Sequence, residues 1–334
     1  MKFFNFLVKK KKQINFVLTG GAAKGFIHLG MLKAFEELEI KPASITDTSA
    51  GALFGALYAI FGSYEKTKQY IDSFMESESY KRFSDKYFLP EILEKKDEKE
   101  DEKKIIKKDK IFNKDFFNKE FFKKNYFNDL FYKFSEKISS AIKGTKAIFN
   151  LFEDDRSFIK EEDIKSVYNE IYKDIKIEDL QIPFAAVATD LANKKSYIFK
   201  NGLCSIAIQA STSIPFIFPP VKLNNSILYD GGIISNLPVD ESKETFNKGF
   251  CIGLDVTSKP QPLEDLNLDL IEILQLIISL SIYAKQESDR KKCDLLVAPL
   301  KENIPWFSFH LKDELIEYGY KSIISMKDYI LKKI

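Results

Sequence analysis

The sequence predicts an α/β fold with three layers, α/β/α, around a mostly parallel central sheet, plus a helical charged and aromatic insertion. Three observations carry this. Residues 14–19 (INFVLT) form a short β-branched and aromatic run ending at Gly20-Gly21, which reads as a buried strand entering a glycine loop. Residues 26–39 set Ile27, Leu29, Met31, Leu32, Phe35 and Leu38 against Lys33, Glu36, Glu37 and Glu39, a helix with one wet face. Ile45-Thr46 opens a second short strand, and 50–61 (AGALFGALYAIF) is small and apolar all round, a helix buried on most sides. Strand, glycine loop, helix, strand, tight turn, helix is the pattern of a parallel sheet covered on both faces.

The strand pattern returns at 183–189 (PFAAVAT), 196–199, 227–229, 249–256 and 294–299, with helices expected over 203–210, 266–285 and 312–332. The stretch 266–283 contains Asp269, Glu272 and Gln275. A membrane span needs about 20 mostly uncharged residues, so a buried helix is predicted there. The segment from about 91 to 165 departs from the sheet pattern and reads as a helical cap or insertion. Over 95–160 it holds 18 Lys/Arg against 13 Asp/Glu, a local excess of +5. Its aromatic pairs, Phe116-Phe117, Phe121-Phe122, Tyr126-Phe127 and Phe131-Tyr132, recur every five residues. A step of five advances about 500° on a helix, so the pairs drift around the axis and form no single stripe. A cap that touches lipid and an ordinary insertion with its aromatics packed inward both fit. The predicted organisation is a basic and apolar leader at 1–12 and one α/β domain at 13–334, interrupted at about 91–165.

Composition narrows the function classes. With 51 Lys/Arg and 49 Asp/Glu the chain carries +2, which argues against a nucleic-acid binder. Cys204, Cys251 and Cys293 are odd in number and far apart in sequence, and they lack CxxC spacing. That usage fits a reducing, cytoplasmic compartment and supports neither a disulfide scaffold nor a zinc-thiolate centre. The apolar run of the leader is too short for a signal peptide; it reads as a frayed tail or as a segment resting on an anionic membrane. Nothing in the sequence calls for a metal or cofactor.

Three clusters bear chemistry. Gly20, Gly21, Ala22, Ala23, Lys24 and Gly25 (GGAAKG) lie between a strand and a helix. Main-chain N–H groups in such a loop can cradle a phosphate or an oxyanion, and a plain tight turn is the alternative. Asp47-Thr48-Ser49-Ala50-Gly51 sits where a strand turns sharply into the buried helix. A serine on such an elbow is exposed at a helix N-terminus, or it is simply an N-cap. Asp47 stands where GxSxG has its first glycine, so its carboxylate must fit a crowded space or point outward; near Ser49 it would also raise the pKa of a neighbouring acid by like-charge repulsion. Asp230-Gly231-Gly232 ends the strand at 227–229, as a turn or as an accessible carboxylate. Nucleophile elbow, N–H nest and strand-end carboxylate are together the parts of a serine acyl hydrolase.

With these residues in view, the sequence resembles the patatin-like phospholipase family. The likeness rests on the strand–GGxxKG–helix opening followed by GFIHLGMLKAFEE, on TSAG with its small-residue helix, and on ASTSIPFIFPPV at 210–221. It continues in DGGIISNLPV at 230–239 and in the ending CDLLVAPL with ELIEYGY. The resemblance implies Ser49 as nucleophile and Asp230 as proton acceptor, a Ser–Asp dyad without histidine. It implies an oxyanion hole from the amides of Gly21, Ala22 and Ala23, with Lys24 at a basic position, and a phospholipid or other acyl-ester lipid as substrate. A peripheral membrane contact through the insertion or the leader would follow. Ala22 replaces the loop's third glycine, a mild change because alanine still offers its N–H. Of the two histidines, His28 reads as structural; His310 is the runner-up base, satisfying the Ser…Asp…His order of a soluble esterase. A catalytically degenerate family member that binds lipid or a protein partner is the other alternative, motivated by Asp47 and the insertion. Asp190 and Asp255 read as turn or capping residues.

Overall fold

The computed structural model describes residues 12–87, 157, 159–215, 217–246, 249–260, 270–300, 304 and 308–334. The leader, apart from Lys12, and nearly all of the insertion predicted at 91–165 lie outside these residues.

Strands β1 (Ile14–Leu18), β2 (Ser44–Thr48), β3 (Phe184–Asp190), β4 (Lys195–Phe199), β5 (Val221–Leu223), β6 (Ser226–Asp230), β7 (Phe250–Leu254) and β8 (Leu295–Val297) form one eight-stranded sheet. Its order is β5-β6-β3-β2-β1-β7-β8, with β4 also paired to β3. From β3 through β8 the pairing is parallel, whereas β4, β5 and β6 join antiparallel, so the sheet is mixed at one side. The described helices are α1 (Gly25–Glu37), α2 (Ala50–Phe61), α3 (Tyr64–Met75), α4 (Glu78–Tyr87), α5 (Glu161–Tyr172), α6 (Cys204–Ser211), α7 (Gly232–Ser235), α8 (Val239–Thr245), α9 (Leu270–Arg290), α10 (Lys312–Ser325) and α11 (Lys327–Lys333).

β1 and β2 are buried along their whole length, as central parallel strands are when both faces are covered. Side chains alternate across a strand, and β1 separates two cores accordingly. Ile14, Phe16 and Leu18 join the large core built with α1, α2 and α6, while Val17 packs on the opposite face with Leu237, Val239 and Cys251. This is the expected three-layer arrangement.

Two expectations change. The helix predicted over 312–332 is two, α10 and α11, separated at Met326. The helix predicted as buried exists as α9, but Ile273, Ile277, Ile278 and Leu280 are 40%, 55%, 47% and 52% exposed. It packs through its C-terminal half, where Gln286 and Asp289 are buried.

The registers explain how distant residues meet. β4 pairs with β3 over Ala186–Asp190, so it occupies one edge of that strand. β2 pairs with 184–187 and β6 with 188–190; both must therefore share the other edge. They run toward each other. Thr48 lies opposite Val187 and Asp230 opposite Ala188. One more residue of β2 register would set Ser49 opposite Ala188 too, the position that Asp230 holds.

Candidate active site

Both chains turn away at that collision point. Ser49 leaves β2 with φ 54° and ψ −124°, an unfavourable left-handed φ for a non-glycine residue, and starts α2. Gly51 permits the sharp entry: a Cβ there would lie 2.7 Å from the Thr19 carbonyl oxygen and 2.9 Å from that of Leu18. The strain is held by partners. The Ser49 amide donates to Ser211 Oγ at 2.9 Å, and the fully buried Ser211 hydroxyl donates to the Val187 carbonyl at 2.6 Å. The same turn grips the second strand end. The Asp230 amide donates to the Ser213 carbonyl at 2.8 Å, and the Gly231 amide to the Ser211 carbonyl at 3.3 Å. Residues 211–213 thus clasp the backbone at both Ser49 and Asp230. Sequence reasoning quoted this segment, ASTSIP, but gave Ser211 no role; a serine ending a buried helix without a capping partner was the available signal.

Asp230 is 6% exposed. Its Oδ1 accepts the Gly232 amide at 2.7 Å, and its Oδ2 is buried without a hydrogen-bond partner. Burial raises its pKa to about 6, while the Ser49 hydroxyl and the Gly232 amide pull it down. The hydroxyl therefore acts on the carboxylate, although the contact falls short of a well-formed hydrogen bond. Loose geometry of this kind is common before substrate binds.

The glycine loop lies over the serine. A Cβ on Gly20 would stand 2.9 Å from Ser49 Cβ and 3.5 Å from its Oγ. Ala22–Lys24 forms a 3-10 turn leading into α1, and its Lys24 amide donates to the Gly21 carbonyl at 3.1 Å. The amides ahead of Lys24 stand at a helix start, where main-chain donors have no intrahelical partner. Ala22 adopts φ 49°, so the missing glycine is a conformational cost as well as a change of side chain. Burial pushes the Lys24 ammonium down to about 8, against the pull of Asp255.

Asp47 does not crowd the site. Its fully buried carboxyl turns under α2, Oδ1 accepts the Leu18 amide at 3.2 Å, and a Cβ on Gly55 would sit 1.6 Å from Oδ2. Burial raises its pKa well above the usual carboxylate range, against the pull of the Leu18 amide. The rise expected for Asp230 from a like charge comes instead from burial of Asp230 itself. His28 is buried and donates from Nε2 to the Thr19 carbonyl at 2.9 Å; burial lowers its pKa to about 4. His310 is exposed on the turn Phe309–Leu311, within electrostatic reach of Glu314. Ser49 acts on Asp230, and Tyr168 also lies within its electrostatic reach.

Asn236 was missed by sequence reasoning. Its Oδ1 would touch a Cβ on Gly20 at 2.8 Å, and its Nδ2 donates to Gln286 Oε1 at 2.8 Å. Gln286 Nε2 and Arg290 Nε both donate to Asp255 Oδ2, at 2.7 and 2.6 Å. Asp255, expected as a turn residue, does accept the Thr257 amide at 2.8 Å, but it is also the anion of a buried ion pair that ties α9 to the end of β7. Asp190 accepts the Ala192 and Asn193 amides, each at 3.1 Å, as a turn residue does. Among the described residues no cluster of three or more His, Cys, Asp or Glu side chains could hold a metal ion.

With this geometry established, comparison with known proteins gives one consistent family. A family model described as Patatin-like phospholipase matches residues 16–242. The human patatin-like phospholipase domain-containing protein 6 is 26% identical over 250 residues, 74% of this chain and 14% of that protein. The rat patatin-like phospholipase domain-containing protein 7 is 28% identical over 250 residues, again 74% and 14%. The chain thus spans about one seventh of the length of these relatives. VipD from Legionella pneumophila aligns with 96% of this chain and 67% of its own, at 14% identity and a TM-score of 0.45.

Proposed function

The chain belongs to the patatin-like phospholipase family, and from that membership we propose a serine lipid acyl hydrolase of the phospholipase A or lysophospholipase type. The observation that carries the reading is the convergence of Ser49 and Asp230 on one position of the β3 edge, beneath the Gly20–Gly25 loop. In this mechanism Asp230 Oδ2 takes the Ser49 proton as Oγ attacks the acyl carbonyl carbon. Charge developing on the carbonyl oxygen is met by the amides of Gly21, Ala22 and Ala23 and by the positive end of α1. Collapse breaks the ester bond, and the leaving alcohol takes the proton back from Asp230. Water then attacks the acyl-serine, with Asp230 again the base, and releases a fatty acid. Oxyanion donors of this kind are worth about 3–4 kcal/mol each in well-studied hydrolases.

Asp47, which motivated a non-hydrolytic reading, is directed under α2 and no longer supports it. The test is turnover of a phospholipid or a fluorescent ester by wild type and Ser49→Ala, with fluorophosphonate labelling of both. Turnover and labelling lost in Ser49→Ala are expected. Equal rates in the two proteins reject the assigned nucleophile, and an unlabelled, inactive wild type favours the binding reading.

A further inference from the structure

We propose that Tyr168 and Tyr172, two buried side chains of α5, are positioning residues that fix the Ser49 hydroxyl and the Asp230 carboxylate relative to each other. α5 lies outside the motifs on which the family resemblance rests. Its buried stripe is Ile164, Tyr168, Ile171 and Tyr172, the spacing of one helical face, and its other residues are mostly polar. The two tyrosine rings are nearly parallel, 8° apart in plane, with centroids 6.5 Å apart. Phenylalanine would fill either position without a hydroxyl to desolvate, so each buried tyrosine needs a partner for its hydroxyl. Both hydroxyls are spent on supports of the proposed catalytic pair.

The Tyr172 hydroxyl donates to the Leu53 carbonyl at 2.9 Å, and the Leu53 amide donates to the Ser49 carbonyl at 3.1 Å. Tyr172 thus holds the first turn of α2, which starts at Ser49. The Tyr168 hydroxyl lies 2.6 Å from Thr212 Oγ1. The Thr212 hydroxyl donates to the Ile208 carbonyl at 2.8 Å, so the tyrosine is the donor between the two. Thr212 is the middle residue of the clasp. Ser211 on one side accepts the Ser49 amide, and Ser213 on the other accepts the Asp230 amide. A brace works only if its far end is fixed. The Tyr70 hydroxyl of α3 donates to the Ile171 carbonyl at 2.6 Å. Asp163, in the first turn of α5, accepts from Lys86 Nζ at 2.6 Å and from the Tyr87 hydroxyl, both on α4. α5 is therefore held by two helices, and it grips the serine side with one tyrosine and the clasp with the other. Removing the Tyr168 hydroxyl loosens the clasp, which moves both members of the pair and lets water toward Asp230. Removing the Tyr172 hydroxyl loosens the serine side alone. The bracing deepens the proposed hydrolase and rests on that reading for its chemistry.

The test compares wild type with Tyr168→Phe, Tyr172→Phe, Thr212→Val and Thr212→Ser. It reads kcat and KM on a water-soluble short-chain ester across pH, amide hydrogen exchange by NMR, and melting curves. Either phenylalanine variant is expected to lower kcat about tenfold with KM little changed, because small misplacements of reacting groups are costly. In Tyr168→Phe the acid limb of the pH profile should move to lower pH, as a better-solvated carboxylate requires, and the Ser49 and Asp230 amides should exchange faster. In Tyr172→Phe the limb should stay in place. Thr212→Val should reproduce Tyr168→Phe and add nothing to it in the double variant, while Thr212→Ser keeps the wild-type rate. Phenylalanine variants that melt lower but retain the wild-type kcat and acid limb overturn the proposal and leave the tyrosines purely structural. So do unchanged exchange at both amides in Tyr168→Phe and losses that multiply in the double variant. A wild type without ester turnover, whose Ser49 and Asp230 amides still exchange faster in Tyr168→Phe, would reject the hydrolase reading and leave the brace standing.

Discussion

Gly55 is the residue on which the unusual elbow rests, and a double-mutant cycle with Asp47 tests this. In an ordinary helix, replacing an interior glycine by alanine gains about 1 kcal/mol. At Gly55 the added Cβ would lie 1.6 Å from Asp47 Oδ2 and 2.8 Å from its Cγ. The carboxyl must move, and it has nowhere polar to go because Asp47 is fully buried. Overpacking costs about 1–3 kcal/mol, and losing the bond to the Leu18 amide adds about 1 kcal/mol or more. Against the helix gain, Gly55→Ala should therefore destabilise by about 1–3 kcal/mol. In an Asp47→Ala background the obstruction is gone, and the same change should be neutral or stabilising by up to about 1 kcal/mol. The coupling is thus about 1–4 kcal/mol, read from thermal or urea unfolding of the four proteins. If Gly55→Ala costs the same in both backgrounds, Gly55 is not there to receive the carboxyl.

Other consequences can be measured alongside. With Asp230 near pKa 6 as the base, kcat/KM on a soluble ester should fall about tenfold per pH unit below 6; a flat profile from pH 5 to 8 refutes Asp230 as the titrating base. Ser211→Ala should lower kcat about 10- to 100-fold with KM little changed, because the Ser49 amide loses its acceptor, and Ser211→Thr should recover part of the rate; equal loss in kcat and in melting temperature, without rescue, would mark Ser211 as purely structural. Asp47 has a raised folded-state pKa, so the folded state binds more protons than the unfolded chain, and this contribution to stability is lost as pH rises above the ordinary carboxylate value. Asp47→Asn should remove that decline, its stability relative to wild type growing with pH; a gap constant from pH 4 to 9 contradicts a protonated Asp47. Ala22→Gly should stabilise by up to about 1 kcal/mol by relieving the positive φ, visible as a higher melting temperature.

Much of the fold was legible because its central elements are locally self-consistent. The helix read at 50–61 from all-round small apolar residues is α2 to the residue, and β1, β3 and β7 appear where apolar runs end at turn residues. Elements whose meaning depends on distant partners were harder. β5 is three residues long and exists by pairing with β6. Ile273, Ile277, Ile278 and Leu280 of α9 have the composition of a buried helix, and only the tertiary structure shows that they are exposed. Asp47 broke the local elbow pattern, and the residue that accommodates it, Gly55, lies one helical turn beyond Gly51, where sequence offers a glycine with no stated purpose. Cys251 and Cys293, far apart in sequence, lie on one face of β7: Cys293 Sγ would be 2.6 Å from a Cβ on Gly253, and its thiol interacts with that of Cys251. Spacing along the chain could not have shown that.

In the proposed mechanism, burial is what would let a Ser–Asp dyad dispense with histidine. An aspartate in water has a pKa near 3.9, too weak a base to draw a proton from serine efficiently, whereas free imidazole sits near 6.5. Burial at the β3 edge lifts Asp230 to about 6, so desolvation supplies the basicity that histidine brings intrinsically. At neutral pH such a group is still mostly ionised, which keeps base strength and availability together. The two strand ends colliding on β3 are what make this burial compatible with reach: the carboxylate is enclosed by the same clasp that aims the hydroxyl. Letting water reach Oδ2 would therefore lower the pKa of Asp230 and slow the reaction even with every distance unchanged. That effect would appear as an acid limb displaced to lower pH together with a reduced plateau rate.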